Sequence, residues 1–192
     1  IINGLVRNTG TISAQTVENR GGVISIRSAR SRNNQGGVIT NTGTITASGS
    51  KGGSITLEGH NIAQQGTIRA DGTAGAGGDV RLSFSGTYLD NQSAIVSASG
   101  IDEHGGRIHL NGTTEGSNIF ASGNYNASGD AGGDITFEAG NNVGLYATQV
   151  SATGRTEGGT IRVGGGAHGQ DSSMRNANRT TVNGAAALNA SA

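Results

Sequence analysis

Two aspartates at equivalent places in a repeated pattern are the best candidates for chemistry. Asp79 and Asp134 each follow a Gly-Gly pair, and Arg107 occupies the same place in the repeat between them. If the repeats stack, these carboxylates lie about 10 Å apart, near the spacing of the acid and base in inverting glycosidases. Arg107 would keep both groups ionised, whereas a general acid needs a raised pKa. The alternative is a surface ladder of alternating charge, and we expect no enzymatic activity.

The remaining candidate ligands do not predict a metal or cofactor site. The chain contains no cysteine, which excludes a thiolate metal site and a cysteine nucleophile. Calcium-binding nonapeptide repeats need an aspartate in every copy, but the position after Gly-Gly varies: Val23, Ser54, Asp79, Arg107, Asp134 and Thr160. His109 alternates with apolar neighbours and is expected on the surface. We expect the same of the other histidines, which are His60, His104 and His168.

The composition excludes several other classes of protein. Glycine accounts for 36 of the 192 residues, there is no proline or tryptophan, and aromatic residues make up 3%. Thirteen basic residues balance thirteen acidic ones, so the basic excess of a nucleic-acid-binding protein is missing. No apolar run approaches the roughly 20 residues of a membrane-spanning helix.

A Gly-Gly pair recurs before a short run of alternating apolar residues. The six copies are GGVISI (21–26), GGSITL (52–57), GGDVRL (77–82), GGRIHL (105–110), GGDITF (132–137) and GGTIRV (158–163). Their starts are separated by 31, 25, 28, 27 and 26 residues. Alternation with a period of two predicts a strand with one buried face. The inward columns are Ile24, Ile55, Val80, Ile108, Ile135 and Ile161, then Ile26, Leu57, Leu82, Leu110, Phe137 and Val163.

A second strand lies between these copies, and its most regular feature is an alanine. The alanine column contains Ala14, Ala47, Ala70, Ala98, Ala127, Ala152 and Ala190. Two residues before it stands an apolar column of Ile12, Ile45, Ile68, Val96, Tyr125, Val150 and Leu188. A position that takes only alanine indicates an inward site with no room for a larger side chain. A third, weaker strand has the inward candidates Ile62, Leu89, Ile119, Val143 or Leu145, and Val182.

Three short strands per repeat predict an all-β fold, a parallel β-helix (β-solenoid) of triangular cross-section. We expect about seven coils of 25–31 residues in one unit over 1–192, with glycines relieving positive φ at the corners. A corner insertion is predicted at about 28–41 and a loop at about 167–178.

The irregular segments are the predicted places for ligand contact, because the regular outward columns are repetitive. The candidate residues are Arg27, Arg30, Arg32, His168, Gln170, Asp171, Arg175 and Arg179. The three arginines of the first insertion could meet an anionic glycan or surface. The alternative is that both segments are solvated loops with no dedicated ligand.

The Gly-Gly-x-Ile-x-Leu and Gly-Thr-Ile-x-Ala-x-Gly elements together resemble the filamentous haemagglutinin-type exoproteins of Gram-negative bacteria. These are large passengers of two-partner secretion that include high-molecular-weight and biofilm-matrix adhesins. Residues 158–192 are similar to a recurring segment of this family, with matches at Gly158, Gly159, Gly164, Gly165, Gly169, Asn176, Ala177, Thr181, Val182 and Ala190. The family's secretion domain carries an Asn-Pro-Asn-type motif, and this chain has no proline. The resemblance therefore indicates the rod or repeat region of a longer protein.

The resemblance implies a right-handed helix, export through an outer-membrane β-barrel transporter, and a secreted or cell-surface location. It also implies attachment to cells, biofilm matrix or other surfaces, with glycans or surface components as partners. The alternatives are a passive spacer in a surface filament and a polysaccharide-degrading β-helix enzyme. A solenoid segment also exposes strand edges at its ends, so we expect contact with neighbouring coils of a longer chain and end-to-end association of the isolated segment.

Overall fold

The protein is a parallel β-helix, as predicted. The computed structural model describes residues 4–15, 21–28 and 36–192. Almost all regular structure in these residues is β-strand, and a single 3₁₀ turn spans Ala167–Gly169. No helix among the described residues is long and apolar enough to cross a membrane.

Three parallel sheets form the walls of the coil. Sheet A consists of β1 (Leu5–Asn8), β4 (Val38–Asn41), β7 (Asn61–Gln64), β10 (Thr87–Asp90), β13 (Asn118–Ala121), β17 (Asn142–Leu145) and β21 (Arg179–Val182). Sheet B consists of β2 (Thr11–Ser13), β5 (Thr44–Thr46), β8 (Thr67–Arg69), β11 (Ile95–Ser97), β14 (Asn124–Asn126), β18 (Gln149–Ser151) and β22 (Ala187–Asn189). Sheet C consists of β3 (Val23–Arg27), β6 (Ser54–Gly59), β9 (Asp79–Phe84), β12 (Arg107–Gly112), β16 (Asp134–Glu138) and β20 (Thr160–Val163). A short fourth sheet pairs β15 (Gly129–Ala131) with β19 (Gly154–Glu157).

The chain visits sheets A, B and C in turn, and each strand pairs with the strand one coil away. The Gly-Gly copies lead into and form sheet C, the alanine elements form sheet B with the alanine directly after each strand, and the weaker third strand forms sheet A. Val38–Asn41, which the sequence analysis placed in the corner insertion, form the regular strand β4 between β1 and β7. The handedness of the coil stays a prediction.

The core consists of the predicted inward columns. The alanines of the interior coils, such as Ala70 and Ala98, have no exposed surface, and the aliphatic columns beside them are equally buried. Toward the ends the same columns are less covered. Val182 continues the inward column of Leu145 but is 47% exposed because no strand follows β21 in sheet A.

The predicted inward position of β10 was wrong by one residue. Tyr88, not Leu89, aligns with the buried Ile62 and Ile119, and Leu89 points outward with half of its surface exposed. The inward position suits the tyrosine because its hydroxyl finds a polar partner in the core, the Asp90 carboxylate at 3.2 Å. A polarity pattern alone favours leucine over tyrosine for the core.

The predicted reason for the corner glycines was also wrong. Among the described glycines, only Gly164, Gly165 and Gly169 have positive φ, and all three belong to the last loop. The repeated pairs have ordinary backbone angles and are needed for close approach. A Cβ at Gly77 would overlap the carbonyl oxygen of Ala98, and a Cβ at Gly78 would overlap that of Gly53.

The alanine column and the glycine pairs meet at one corner of every interior coil. The second glycine of each pair donates its N–H to the alanine carbonyl of its own coil, as Gly78 does to Ala70 at 2.7 Å and Gly106 does to Ala98 at 2.7 Å. The first glycine packs against the alanine carbonyl of the next coil, as Gly77 does against Ala98. Adjacent coils therefore come into direct backbone contact at this corner.

A ladder of buried amides runs along the inner side of sheet A. Asn8 donates to Asn41, and Asn41 donates to Gln64, each at 2.8 Å. The next position in this column is Asp90, which is 6% exposed. Its Oδ1 accepts the Gly123 N–H at 3.0 Å, and its Oδ2 accepts the hydroxyl groups of Tyr88 and Tyr125. Burial raises the pKa of the Asp90 carboxyl, although these hydrogen bonds act in the opposite direction.

We predict that Gly105→Ala destabilises the protein by about 3 kcal/mol or more, because an added methyl group in a packed site forces backbone shifts. The new Cβ would overlap the carbonyl group of Ala127 on the next coil. Gly116→Ala is the matched control, since a Cβ there meets no atom within 4 Å. Urea unfolding followed by circular dichroism measures both variants. Equal midpoints for the two would contradict the close-approach explanation.

Asp90→Asn is predicted to remove a pH dependence from stability. A raised pKa in the folded state means that the free energy of unfolding falls as pH rises from the unfolded value of about 3.9 through the folded pKa. Asparagine does not titrate, so the variant lacks this loss. The melting temperature of the variant minus that of the wild type should therefore be larger at pH 7 than at pH 3. Thermal melts at both pH values measure this difference. The control is Glu115→Gln at a side chain that is 85% exposed, and an equal pH response in both variants would refute the assignment.

Candidate functional site

The longest irregular segment of the described chain lies at the edge where sheet C passes into sheet A. We call this edge the C–A corner; it comprises residues 28, 36–37, 60, 85–86, 113–117, 139–141 and 164–178. Three of these crossings are short, and the longest described one is the last. Both predicted ligand-contact segments leave sheet C at this corner, the first after β3 and the last after β20.

A groove of about 750 Å³ crosses the corner near its first coils. Arg27 and Glu58 lie on one side, with the Arg27 Nε 3.1 Å from the Glu58 carboxylate. His60 and Ser85 lie on the other, joined by a 2.9 Å hydrogen bond between Nδ1 and Oγ. The lining is therefore rich in hydroxyl, imidazole and charged groups, which can bind a polar ligand.

The far wall of this groove is the 113–117 turn. Thr113 and Thr114 line the groove and donate their hydroxyl groups to the backbone carbonyls of Phe84 and Ser85, at 3.1 and 2.7 Å. The near wall contains Ser28, whose Oγ is buried and has no hydrogen-bond partner among the described residues. Ser28 and the 113–117 turn thus contribute to the groove from different coils of the solenoid.

The last loop folds back over the outer face of sheet C and is held by Glu138. This carboxylate is 9% exposed, accepts the backbone N–H of Arg175 at 2.7 Å and lies 3.1 Å from the Nε2 of His109. The Arg175 guanidinium reaches the Glu115 carboxylate on the 113–117 turn. The loop is therefore connected to strands and turns up to two coils away.

A second groove of about 300 Å³ lies between this loop and sheet C. Its charged lining residues are Arg107, Asp134, Glu138, Arg162 and Asp171, and His109 adds an imidazole. Hydrogen bonds from the hydroxyl and backbone N–H of Ser173 lower the pKa of Asp171, and the nearby Arg162 adds to the effect. The groove carries both signs of charge within a small volume.

The structure separates the predicted ligand-contact residues into two places. Arg27 lines the first groove with 71% of its side chain exposed, while Arg30 and Arg32 lie outside the described residues. Four strands separate β3 from β20, so the last loop lies about 24 Å from Arg27 along the axis. In that loop the exposed residues include His168, Gln170 and Asp171. Arg179 is the first residue of β21 rather than a loop residue, and it pairs with Asn142.

The predicted charge ladder is present on sheet C. Arg107 pairs in register with Asp79 on one side and Asp134 on the other. Its guanidinium is 3.7 Å from the Asp134 carboxylate, and both side chains are partly exposed. Among the described residues, no three side chains of the histidine and carboxylate types are grouped to hold a metal ion.

Sequence reasoning missed several residues of these grooves. Glu138 and His109 align in the repeat with other outward positions, but only the fold of the last loop reveals that the loop covers Glu138. His60 and Ser85 occupy neighbouring turns at the C–A corner, where the repeat varies in length. The alignment of the Gly-Gly copies could have placed both residues at one corner.

Comparison with known proteins gives no relative: no family model matches the chain, and neither the curated proteins nor the solved structures contain a match.

We predict that Glu138→Ala loosens the last loop. A partly buried N–H that loses its acceptor costs about 1–3 kcal/mol, so hydrogen exchange at the Arg175 amide should accelerate tenfold or more. Glu115→Ala is the control, because it removes only an exposed ion pair with the same arginine, worth at most about 1 kcal/mol. Mass-spectrometric hydrogen exchange over 170–178 compares the variants. Unchanged exchange in Glu138→Ala would show that other contacts hold the loop.

Proposed function

We propose that this chain is a segment of a secreted or cell-surface bacterial adhesin that attaches to host cells, biofilm matrix or other surfaces without catalysing a reaction. The observation that carries the proposal is the placement of two polar grooves and the long last loop at one corner of a parallel coil. The coil supplies a stiff support with every interior strand paired on both sides. Binding residues are commonly found on loops that a rigid scaffold positions.

The resemblance to filamentous haemagglutinin-type exoproteins supports the same proposal. It rests on the Gly-Gly and alanine elements, which here form the close backbone corner, and on residues 158–192. Under this proposal the protein leaves the cell through an outer-membrane β-barrel transporter, and its ligands are glycans or other surface and matrix components.

Contacts at the ends of the solenoid belong to the proposal as well. The outermost strands expose apolar side chains, which are Leu5, Val23, Val182 and Leu188. Because terminal strands also offer unpaired backbone groups, the proposed partners include further coils of a longer chain, or a second copy of the isolated segment.

A passive spacer is the second candidate function. The charged side chains on sheet C favour it, because several of them are already paired with one another, including Arg27 with Glu58 and Arg107 with Asp134. A spacer needs only a continuous ladder, and it places the ligand-binding part elsewhere in the protein.

A glycan array distinguishes these candidates. We expect the 192-residue chain to bind a restricted set of glycans, and Arg27→Ala or the double variant His168→Ala/Gln170→Ala to weaken that binding by about tenfold, the effect of 1.4 kcal/mol. Arg155→Ala is the matched control for Arg27, since its exposed side chain is paired in the same way, with Asp130, at another corner. Absence of binding, or equal binding by all variants, would favour the spacer. Shortening of a polysaccharide during the assay would instead indicate an enzyme.

A further inference from the structure

The outer face of sheet A differs in chemistry from the outer face of sheet C. Charged residues occur on every strand of sheet C, whereas the outward positions of sheet A carry charge only on the two outermost strands, at Arg7 and Arg179. Between these ends, the outward positions hold apolar, amide and hydroxyl side chains. The middle of this face is therefore uncharged.

An apolar line crosses the middle of this face along the solenoid axis. Ala63, Leu89, Phe120 and Gly144 occupy the same outward column on neighbouring strands. The ring of Tyr146 covers Gly144, because a Cβ there would overlap the ring atoms. Leu89 is 50% exposed and Tyr146 is 39% exposed. We call Leu89, Phe120 and Tyr146 the sheet A stripe.

A row of polar groups runs beside the stripe. The adjacent outward column contains Asn61, Thr87, Asn118 and Asn142. The amides of this row are oriented by hydrogen bonds, with Asn142 donating to Asn118 at 2.8 Å and Thr87 donating its N–H to Asn61 at 2.8 Å. Apolar surface and fixed amides thus lie side by side over four strands, a length of about 14 Å.

The dimensions of the stripe decide what can cover it. A stable protein interface buries about 800 Å² on each partner, and the stripe offers three partly exposed side chains in a line one side chain wide. Even a whole aromatic side chain contributes at most about 250 Å². A second protein therefore gains too little from this line, whereas a narrow linear molecule can follow it.

We propose that the sheet A stripe binds an extended chain of neutral pyranose sugars that lies along the solenoid axis. One pyranose unit of such a chain is about as long as the ~4.8 Å spacing of the strands, so successive sugars meet successive side chains. The C–H face of the sugar packs on the negative face of the Phe120 and Tyr146 rings. The sugar hydroxyl groups bond to the amide row, and the uncharged surroundings favour a neutral chain over an anionic one.

This stripe is a different surface from the C–A corner, so the two can be tested separately. Native electrophoresis in gels that contain hydroxyethylcellulose, β-1,3-glucan or galactomannan measures retardation, and alginate serves as the anionic comparison. We expect retardation by at least one neutral polysaccharide and none by alginate. Phe120→Ala/Tyr146→Ala should weaken binding tenfold or more, while Tyr146→Phe, which keeps the ring, should preserve it.

Ile101→Ala is the matched control, because Ile101 is an apolar residue with 52% exposure outside the stripe. It should bind as the wild type does, and so should Arg155→Ala, a variant of an exposed arginine that lies outside both the stripe and the C–A corner. Tyrosine fluorescence gives a direct reading from the unmodified protein, since the other two tyrosines, Tyr88 and Tyr125, are buried and there is no tryptophan. Adding cello-, laminari- or manno-oligosaccharides should change this fluorescence in a saturable way for the sugar that retards the protein.

Four results would overturn the proposal. The first is that no neutral polysaccharide retards the wild type. The second is that Phe120→Ala/Tyr146→Ala is retarded as strongly as the wild type. The third is that the wild type self-associates in sedimentation velocity and does not bind sugars, while the double variant is monomeric. This result would assign the stripe to contact with a second copy of the chain. Loss of binding in the Arg27→Ala variant alone would count against the stripe and in favour of the corner.

Discussion

The backbone contact between glycine pairs and alanine carbonyls at one corner of each coil is the constraint on which the solenoid depends. In the interior coils no side chain larger than hydrogen fits at these glycines, because carbonyl groups of the next coil (at the first glycine) and of the preceding coil (at the second) occupy the space. The neighbouring alanine has no exposed surface and leaves room for the turn. Since the same contact recurs from coil to coil, it holds the strands of sheets B and C in register. The side chains on the outside are then free to vary.

The inner column of sheet A shows how far the core can vary while this corner is kept. In the first coils it carries amides, which satisfy one another along the axis. At Asp90 the ladder ends, and the next residues in the column are Ala121 and Leu145. The hydroxyl groups of Tyr88 and Tyr125 meet Asp90 at this change and supply the hydrogen bonds that a further amide would have supplied. A buried polar group needs partners wherever its column stops, and here two aromatic residues provide them.

The fold could be predicted from the sequence because the residue pattern that specifies it recurs in every coil. The candidate site depends on contacts that occur only once in the chain. The Gly-Gly copies and the alanine column each appear on successive coils, so an error in one copy is corrected by the others. The error at Leu89 arose in the weakest of the three strands, where a tyrosine took the core position because its hydroxyl could reach Asp90. The glycines were placed correctly but for the wrong reason, since close approach and positive φ both select glycine and the sequence does not distinguish them. The contact of Glu138 with the last loop joins residues 37 positions apart, and no repeated pattern in the sequence predicts it.

The separation between a fixed inside and a variable outside bears directly on function. Sheet C presents paired charges, the C–A corner presents grooves and loops, and sheet A presents an uncharged apolar line. Sheet C and the C–A corner share side chains, because Arg27 and Glu58 lie on sheet C and also line the first groove. The apolar line of sheet A shares the core with them but none of these groove residues, so a substitution in this line leaves the grooves in place when the corner contact is intact. In a globular domain a new surface usually alters the packing beneath it. In this solenoid each outward column belongs to one strand position, and binding surfaces can therefore be added along the axis without a change of fold.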